Sequence, residues 1–398
     1  MSQFASRVFV YDAVRTPKAR VRRQGGTLAD VPAYDLVAQL LSALSDRGLP
    51  AGAVDDIVIG TSTAVGDQGG NVARAAALWA GWPDDVGAGV VSRLCCSGLD
   101  AIETAAAKVA SGIADVVVAG GVESMSRVPM LSDKPGFVVD DELGDRTGYV
   151  TIGVSADLTA AEYGFSRSDL DEYAVTSHRR AAAAPTSFSV VPVRSGAAVI
   201  LESDEGPRAD ITLDALGELS PLFGDDPSWG RVADRLPAAV RPDGGLHTAA
   251  TAPQLADGAA VAVLGSAAAA GQLGREPFAE VVGVAQTAVR SPLLTASVVA
   301  ARRALDKAGI GIEQLDVVEA NESFAASALV MIRELGLDPA RVNPVGGAIA
   351  TGHPLGAGGG VLLTNALDQL TRIDGEYALV TIPAALGLGA AVVVRRLR

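Results

Sequence analysis

Apolar runs and amphipathic stretches follow one another along the chain with a near-regular period. Residues 7–14 (RVFVYDAV) read as a buried strand, and residues 34–44 place apolar side chains at helical spacing. A strand at 56–62, a helix near 71–79, a strand at 90–94, an alanine-rich helix at 97–110 and a strand at 114–120 follow. Strands that are apolar throughout, rather than alternating, are covered on both faces, so this order predicts an α/β fold with helices on each side of a sheet. The last third repeats it: a strand at 278–286, a helix at 297–308, a strand at 315–320, helices at 324–335 and 356–369, and closing strands at 377–382 and 390–396. The chain reads as two similar α/β halves.

Residues 129–251 break the pattern with a cluster of acids (Asp140, Asp141, Glu142, Asp145), many turn residues and one helix of mixed polarity at 170–183. This stretch reads as an inserted excursion, after which the first half completes its sheet at about 258–265. The expected division is 1–128 with 252–270, an inserted loop or cap region 129–251, and a second half 271–398. No low-complexity linker separates them, which predicts one interlocked body.

Composition narrows the partners. With 49% hydrophobic and 20% charged residues among 398, the chain can bury a large core and is not disordered. A net charge of −14 would repel a phosphate backbone, which argues against nucleic acid. The two cysteines are adjacent and cannot staple separate segments, so a disulfide framework and a cysteine-based zinc site are excluded and no metal is expected. A secretory pattern is not seen at the amino terminus, nor an apolar run of spanning length, so the expectation is a cytoplasmic protein without a membrane span.

Nucleophile–base pairs are few in such a chain. Cys95, in VSRLCCSGLD, stands where a strand ends and a helix begins; free N–H groups and the helix dipole there lower a thiol pKa, although burial as a small hydrophobe is an equal alternative. His353 lies in VNPVGGAIATGHPLGAGGG, a loop that fits neither the dinucleotide spacing nor a P-loop. Asn321 ends an apolar strand in VVEANESFAAS, where it can hold a water above the sheet or cap a helix starting at Ser323. Phe324 reads as core or pocket wall, His247 as structural or ligand-lining, and His178 as part of a solvated helix face.

In this order, VSRLCCSGL, GGVESMSRVP, NESFA and GGAIATGHPLG resemble the motifs of the thiolase family over nearly the whole chain. VGDQGGNVAR and GGVESMSRVPM further resemble the thiolase subunit of fatty-acid β-oxidation complexes. The resemblance implies two similar halves in a layered α-β-α-β-α body, with the inserted loop domain covering coenzyme A. It implies a Cys95 acyl-enzyme formed from a 3-oxoacyl-CoA, in thiolytic cleavage or reverse condensation. His353 would deprotonate Cys95, Asn321 would hold the water of a first oxyanion hole, and the Cys95 and Ala385 N–H groups would form a second. Phe324 and His247 would line the substrate channel. Coenzyme A thioesters are then substrates and no cofactor is needed; a homodimer or tetramer and a β-oxidation hydratase/dehydrogenase partner are implied.

Two departures stand out. The last family motif, Cys-x-Gly-Gly-Gly, here reads TIPAALGLG, so Pro383 occupies the place of the second catalytic cysteine, with Ala385 and Leu386 in place of two glycines. Cys96 does not replace that cysteine, because neighbouring side chains at a helix start point apart. Thr251 and Pro253 stand where the family carries an Asn-Ala-Ser stretch that contacts pantetheine. The alternatives to a full thiolase are therefore transacylation or slow thioester hydrolysis through Cys95, or a non-catalytic acyl-CoA-binding subunit.

Overall fold

The computed structural model describes residues 6–236, 238–290 and 292–397. The first half runs β1 (Val8–Arg15), β2 (Ala19–Arg20), α1 (Ala33–Asp46), β3 (Asp56–Gly60), α2 (Val72–Trp79), β4 (Gly87–Val91), α3 (Ser97–Ala110) and β5 (Val116–Glu123). The chain then leaves the sheet through α4 (Gly136–Val139), α5 (Asp141–Thr147), α6 (Ile152–Glu162), α7 (Arg167–Ala183), β6 (Val193–Ser195), β7 (Ala198–Leu201), α8 (Leu213–Gly217) and α9 (Trp229–Arg235). It returns with β8 (Ala256–Gly265) and α10 (Ala269–Leu273). The second half follows as β9 (Ala279–Ala288), α11 (Ala296–Ala308), β10 (Leu315–Ala320), α12 (Ala325–Leu335), α13 (Ala348–Thr351), α14 (Gly358–Ile373), β11 (Tyr377–Ala384) and β12 (Leu388–Arg396).

Each half has the same wiring. β3 lies parallel to β5, and β5 and β1 both pair antiparallel with β8. Correspondingly, β10 lies parallel to β11, and β11 and β9 both pair antiparallel with β12. β4 flanks β3 in parallel, and in the second half a single parallel bridge from Val318 to Val342 takes its place. The halves join because β1 and β9 pair antiparallel, Val8 with Val281 and Val10 with Ala279. The strand order is therefore β4-β3-β5-β8-β1-β9-β12-β11-β10, one continuous sheet.

Helices sort into three layers. α3 and α14 pack on each other between the two half-sheets, where Leu99, Ile102, Leu363 and Leu370 share one core with strands of both halves. α1 and α2 cover the outer face of the first half, and α11 and α12 that of the second, with α7 of the excursion against the latter. This is the expected α-β-α-β-α order. β5 and β8 are buried at every position, as doubly covered strands require.

Two expectations change. The strand read at 90–94 lies at Gly87–Val91, because Leu94 turns to φ 51° and cannot extend it. His178 is not on a solvated face. It is 2% exposed, accepts a hydrogen bond from the Arg208 N–H at 3.2 Å, and is pulled down to about 4 by burial and by Arg208 and Arg20.

Candidate active site

Cys95 sits on a tight turn between β4 and α3. Leu94, just before it, has φ 51°, a left-handed conformation that costs a branched residue roughly 1–2 kcal/mol. Ser97 holds the turn: its Oγ accepts from the Arg93 N–H at 2.8 Å and donates to the Leu94 carbonyl at 2.6 Å. The helix start was expected to lower the thiol pKa. Burial wins instead, pushing Cys95 up to about 12, and the carboxylate of Glu123 adds to the rise. Cys96 is fully buried and directs its Sγ to the Ile382 carbonyl at 3.4 Å.

The His353 loop is seated directly on this turn. A Cβ on Gly98 would lie 2.8 Å from the Gly356 oxygen, and one on Gly359 only 2.5 Å from the Leu99 nitrogen. Only glycine permits such backbone-to-backbone approach of α3 and α14. Glu123, at the end of β5 and missed by the sequence reading, clamps the same loop: it accepts from the N–H groups of Ser62 and Gly356, both at 2.8 Å. Its signal was present in GGVESMS as an acid closing an apolar strand.

His353 is 4% exposed, and its backbone N–H donates to the Gln254 carbonyl at 2.8 Å. Neither ring nitrogen has a hydrogen-bond partner among the described residues, Cys95 included. Burial, and then the charge of Lys18, pulls the imidazole down to about 4. Asn321 lines the same small cavity as His353 and Lys18. Its Nδ2 donates to Ser323 Oγ at 2.7 Å, and it does not cap a helix, since α12 starts at Ala325 with Phe324 as its cap residue.

Phe324 is 4% exposed and meets Phe223 of the excursion and His247 edge-on, at centroid distances of 5.6 and 5.1 Å. His247 itself has no exposed surface; Nδ1 pairs with Asp157 at 2.8 Å and Nε2 accepts from the Ala326 N–H at 3.4 Å. Of its two readings, this arrangement is the structural one. Glu322, next to Asn321, accepts from Tyr173, Ser177 and the Ile349 N–H at 2.8–2.9 Å, tying α7 to α13. The Thr251 hydroxyl is engaged within its own turn by Thr248.

Pro383 is buried in β11 opposite Gly389, beyond the last β10 pairing at Thr381, so its missing N–H breaks no ladder bond on that side. The following turn, Ala385–Gly387, keeps left-handed geometry at Leu386 (φ 61°) and Gly387 (φ 70°). Among the described residues there is no cluster of metal-ligating side chains, and no helix is long and apolar enough to cross a membrane.

This duplicated, layered body is the thiolase fold. The thiolase N-terminal domain family matches residues 8–268 and the thiolase C-terminal domain family residues 275–396. The chain belongs to the thiolase family and is an acyl-CoA acyltransferase of that type. It is 37% identical over 417 residues to the β-ketoadipyl-CoA thiolase of Acinetobacter baylyi, covering 98% of this chain and 99% of that protein. It is 38% identical to an acetyl-CoA acetyltransferase of Pseudomonas aeruginosa (93% and 95% covered) and 36% identical to a steroid 3-ketoacyl-CoA thiolase of Mycobacterium tuberculosis (98% and 94%). The crystal structure of the Bacillus anthracis acetyl-CoA acetyltransferase superposes with a TM-score of 0.84 at 31% identity, over 100% of both chains.

Proposed function

We propose that Cys95 attacks the 3-keto carbon of a 3-oxoacyl-CoA after His353 takes its proton. The C2–C3 bond then breaks, the shortened acyl group stays on Cys95 as a thioester, and acetyl-CoA leaves as its enolate, which must gain a proton. A second coenzyme A thiol takes the acyl group. Asn321 serves the first oxyanion hole through a water, and the Cys95 and Ala385 N–H groups serve the second. Phe324 lines the acyl channel, with His247 behind it. The observation that carries this reading is the seating of the Cys95 turn on the His353 loop, which leaves no room for a Cβ at Gly98.

Pro383 offers no proton to the enolate. Loss of one positioned acid/base costs roughly 10²–10⁴-fold, so acylation of Cys95 by carbon–carbon cleavage is slowed, while acyl transfer to Cys95 from a thioester without cleavage is not. That favours, as a second reading, transacylation or thioester hydrolysis through Cys95 alone. The same proposal takes 129–251 as the coenzyme A cover between the halves 1–128 with 252–270 and 271–398. It includes a cytoplasmic homodimer or tetramer, with a β-oxidation hydratase/dehydrogenase as partner subunit.

Intact mass spectrometry after brief mixing with a 3-oxoacyl-CoA tests it. A Cys95-dependent adduct two carbons shorter than the substrate acyl group, absent in Cys95→Ala, is expected, and Pro383→Cys should accelerate its formation. A full-length 3-oxoacyl adduct would mean transacylation without cleavage. With no adduct at all, an acyl-CoA-binding subunit, or an enzyme specific for another acyl group, is favoured.

A further inference from the structure

Lys18 belongs to none of the motifs, yet it is a charged group that shares a cavity with His353 and Asn321 and that the mechanism leaves unused. It lies in the connection from β1 to β2, 3% exposed. Its main chain is fixed on both sides: the N–H donates to Asp204 Oδ1 at 2.8 Å and the carbonyl accepts from the Glu205 N–H at 3.1 Å. Its Nζ donates to Thr351 Oγ1, which donates in turn to the Gly347 carbonyl at 2.9 Å. Gly347 and Thr351 bracket α13, the single turn of helix that delivers His353 two residues later.

Lys18, Asn321 and His353 line one cavity of about 10 Å³. The ring is pressed there against α14, where a Cβ on Gly358 would lie 2.9 Å from its Cε1 and 3.1 Å from Nδ1. Asn321, Ala348, Val361, Leu362 and Asn365, which share the cavity, carry no charge. Behind Lys18, Asp204 Oδ1 is 2.9 Å from Arg15 and Oδ2 is 3.6 Å from Lys18 Nζ. Burial works against the Asp204 carboxylate, but Arg15 and Lys18 hold it below the usual range. Glu319, buried beside them, is pushed by burial up to about 8 and is neutral at neutral pH. Burial lowers the Lys18 ammonium from its ordinary value and the Asp204 carboxylate works against that fall; with Lys18 charged, two cations share one carboxylate and the cluster presents a net positive charge to the ring.

We propose that Lys18 is a positioning residue for His353: it braces the helix that delivers the ring and holds a buried positive charge beside it, which resists a second one on the imidazole. The role rests on the reading of His353 as the base for Cys95. It also explains how the ring stays in the base form although neither nitrogen is held by a hydrogen bond. Lys18 also lines a second cavity, of about 540 Å³, together with Arg15, Asp204 and Asp368.

Three histidines make the test direct. The full-length protein is labelled at histidine Cε1, and the His353 signal is assigned with His353→Asn. In the parent protein that signal should stay at its neutral position between about pH 5.5 and 8. In Lys18→Met its midpoint should rise by about one unit from its value of about 4, so that the onset of protonation enters the acid edge of that window, and Lys18→Arg should restore the parent behaviour. Lys18→Gln, which keeps a donor for Thr351, gives the same reading if the methionine variant does not fold. A midpoint unmoved in a folded, charge-free variant overturns the proposal. If the midpoint moves while the pH profile of Cys95 acylation does not, Lys18 acts on the ring as proposed and the assignment of His353 as base falls.

Discussion

Burial sets Cys95 near 12 and His353 near 4, so at neutral pH the two rest as a neutral thiol and a neutral imidazole. Loss of stability follows for His353 as pH falls from its ordinary 6.5 toward 4, since the unfolded chain binds the proton first. Glu319 has the opposite sign. Its folded value of about 8 exceeds the ordinary 4.5, so its contribution is fully present below pH 4.5 and is lost as pH rises through 8. In urea titrations at several pH values, Glu319→Gln should gain on the parent protein by on the order of a few kcal/mol across that range. Parallel stability profiles for the two proteins would refute the buried ionisation.

The contact of α3 with α14 depends on atoms that are not there. Gly98→Ala should cost about 1–3 kcal/mol or more, because its Cβ would meet backbone at Gly356, and it should also slow acylation of Cys95. Gly52→Ala, where a Cβ meets nothing within 4 Å, is the control and should change stability by less than about 0.5 kcal/mol. Equal stability and acylation in the two variants would dismiss the seating argument. Elements were legible where side chains alone decide them: α3 and β10 occupy the residues read from the apolar pattern. β5 runs on past the glycine pair to Glu123, because a sheet takes glycine when its neighbours supply the hydrogen bonds. Cys95, Asn321 and His353 stood out through loop chemistry and resemblance. Lys18, Glu123 and Glu319 did not, because a lone buried charge looks like surface until its partners, far along the chain, are in place. The thiol shift went the other way from expectation for a related reason: burial is a tertiary property.

At the scale of the molecule, the excursion is tied together by a pair with no exposed surface, Asp157 on α6 and His247 ahead of β8, and the same imidazole reaches the second half by accepting from the Ala326 N–H at 3.4 Å. Asp157 also accepts from the N–H groups of Leu246 and His247 at 3.2 and 2.8 Å. Asp157→Ala would strand all three donors at a cost of about 3–5 kcal/mol. Native-state proteolysis should then cut between residues 129 and 251 faster than in the parent protein, with the halves cut later. Unchanged cleavage would show that Phe223 and Phe324 suffice to hold the excursion down.

The pairing of β1 with β9 bears on how such a chain is made. β1 emerges from the ribosome well before its neighbours: one, β8, lies some 250 residues later, and the other, β9, later still. Until both arrive, an apolar strand stands with two open edges, the condition that favours intermolecular association. A sheet closed by its most distant segments has high contact order and folds slowly. The two halves are thus copies in plan but not separable in assembly: a gene cut between them would leave each fragment with the raw edge that the other was meant to cover.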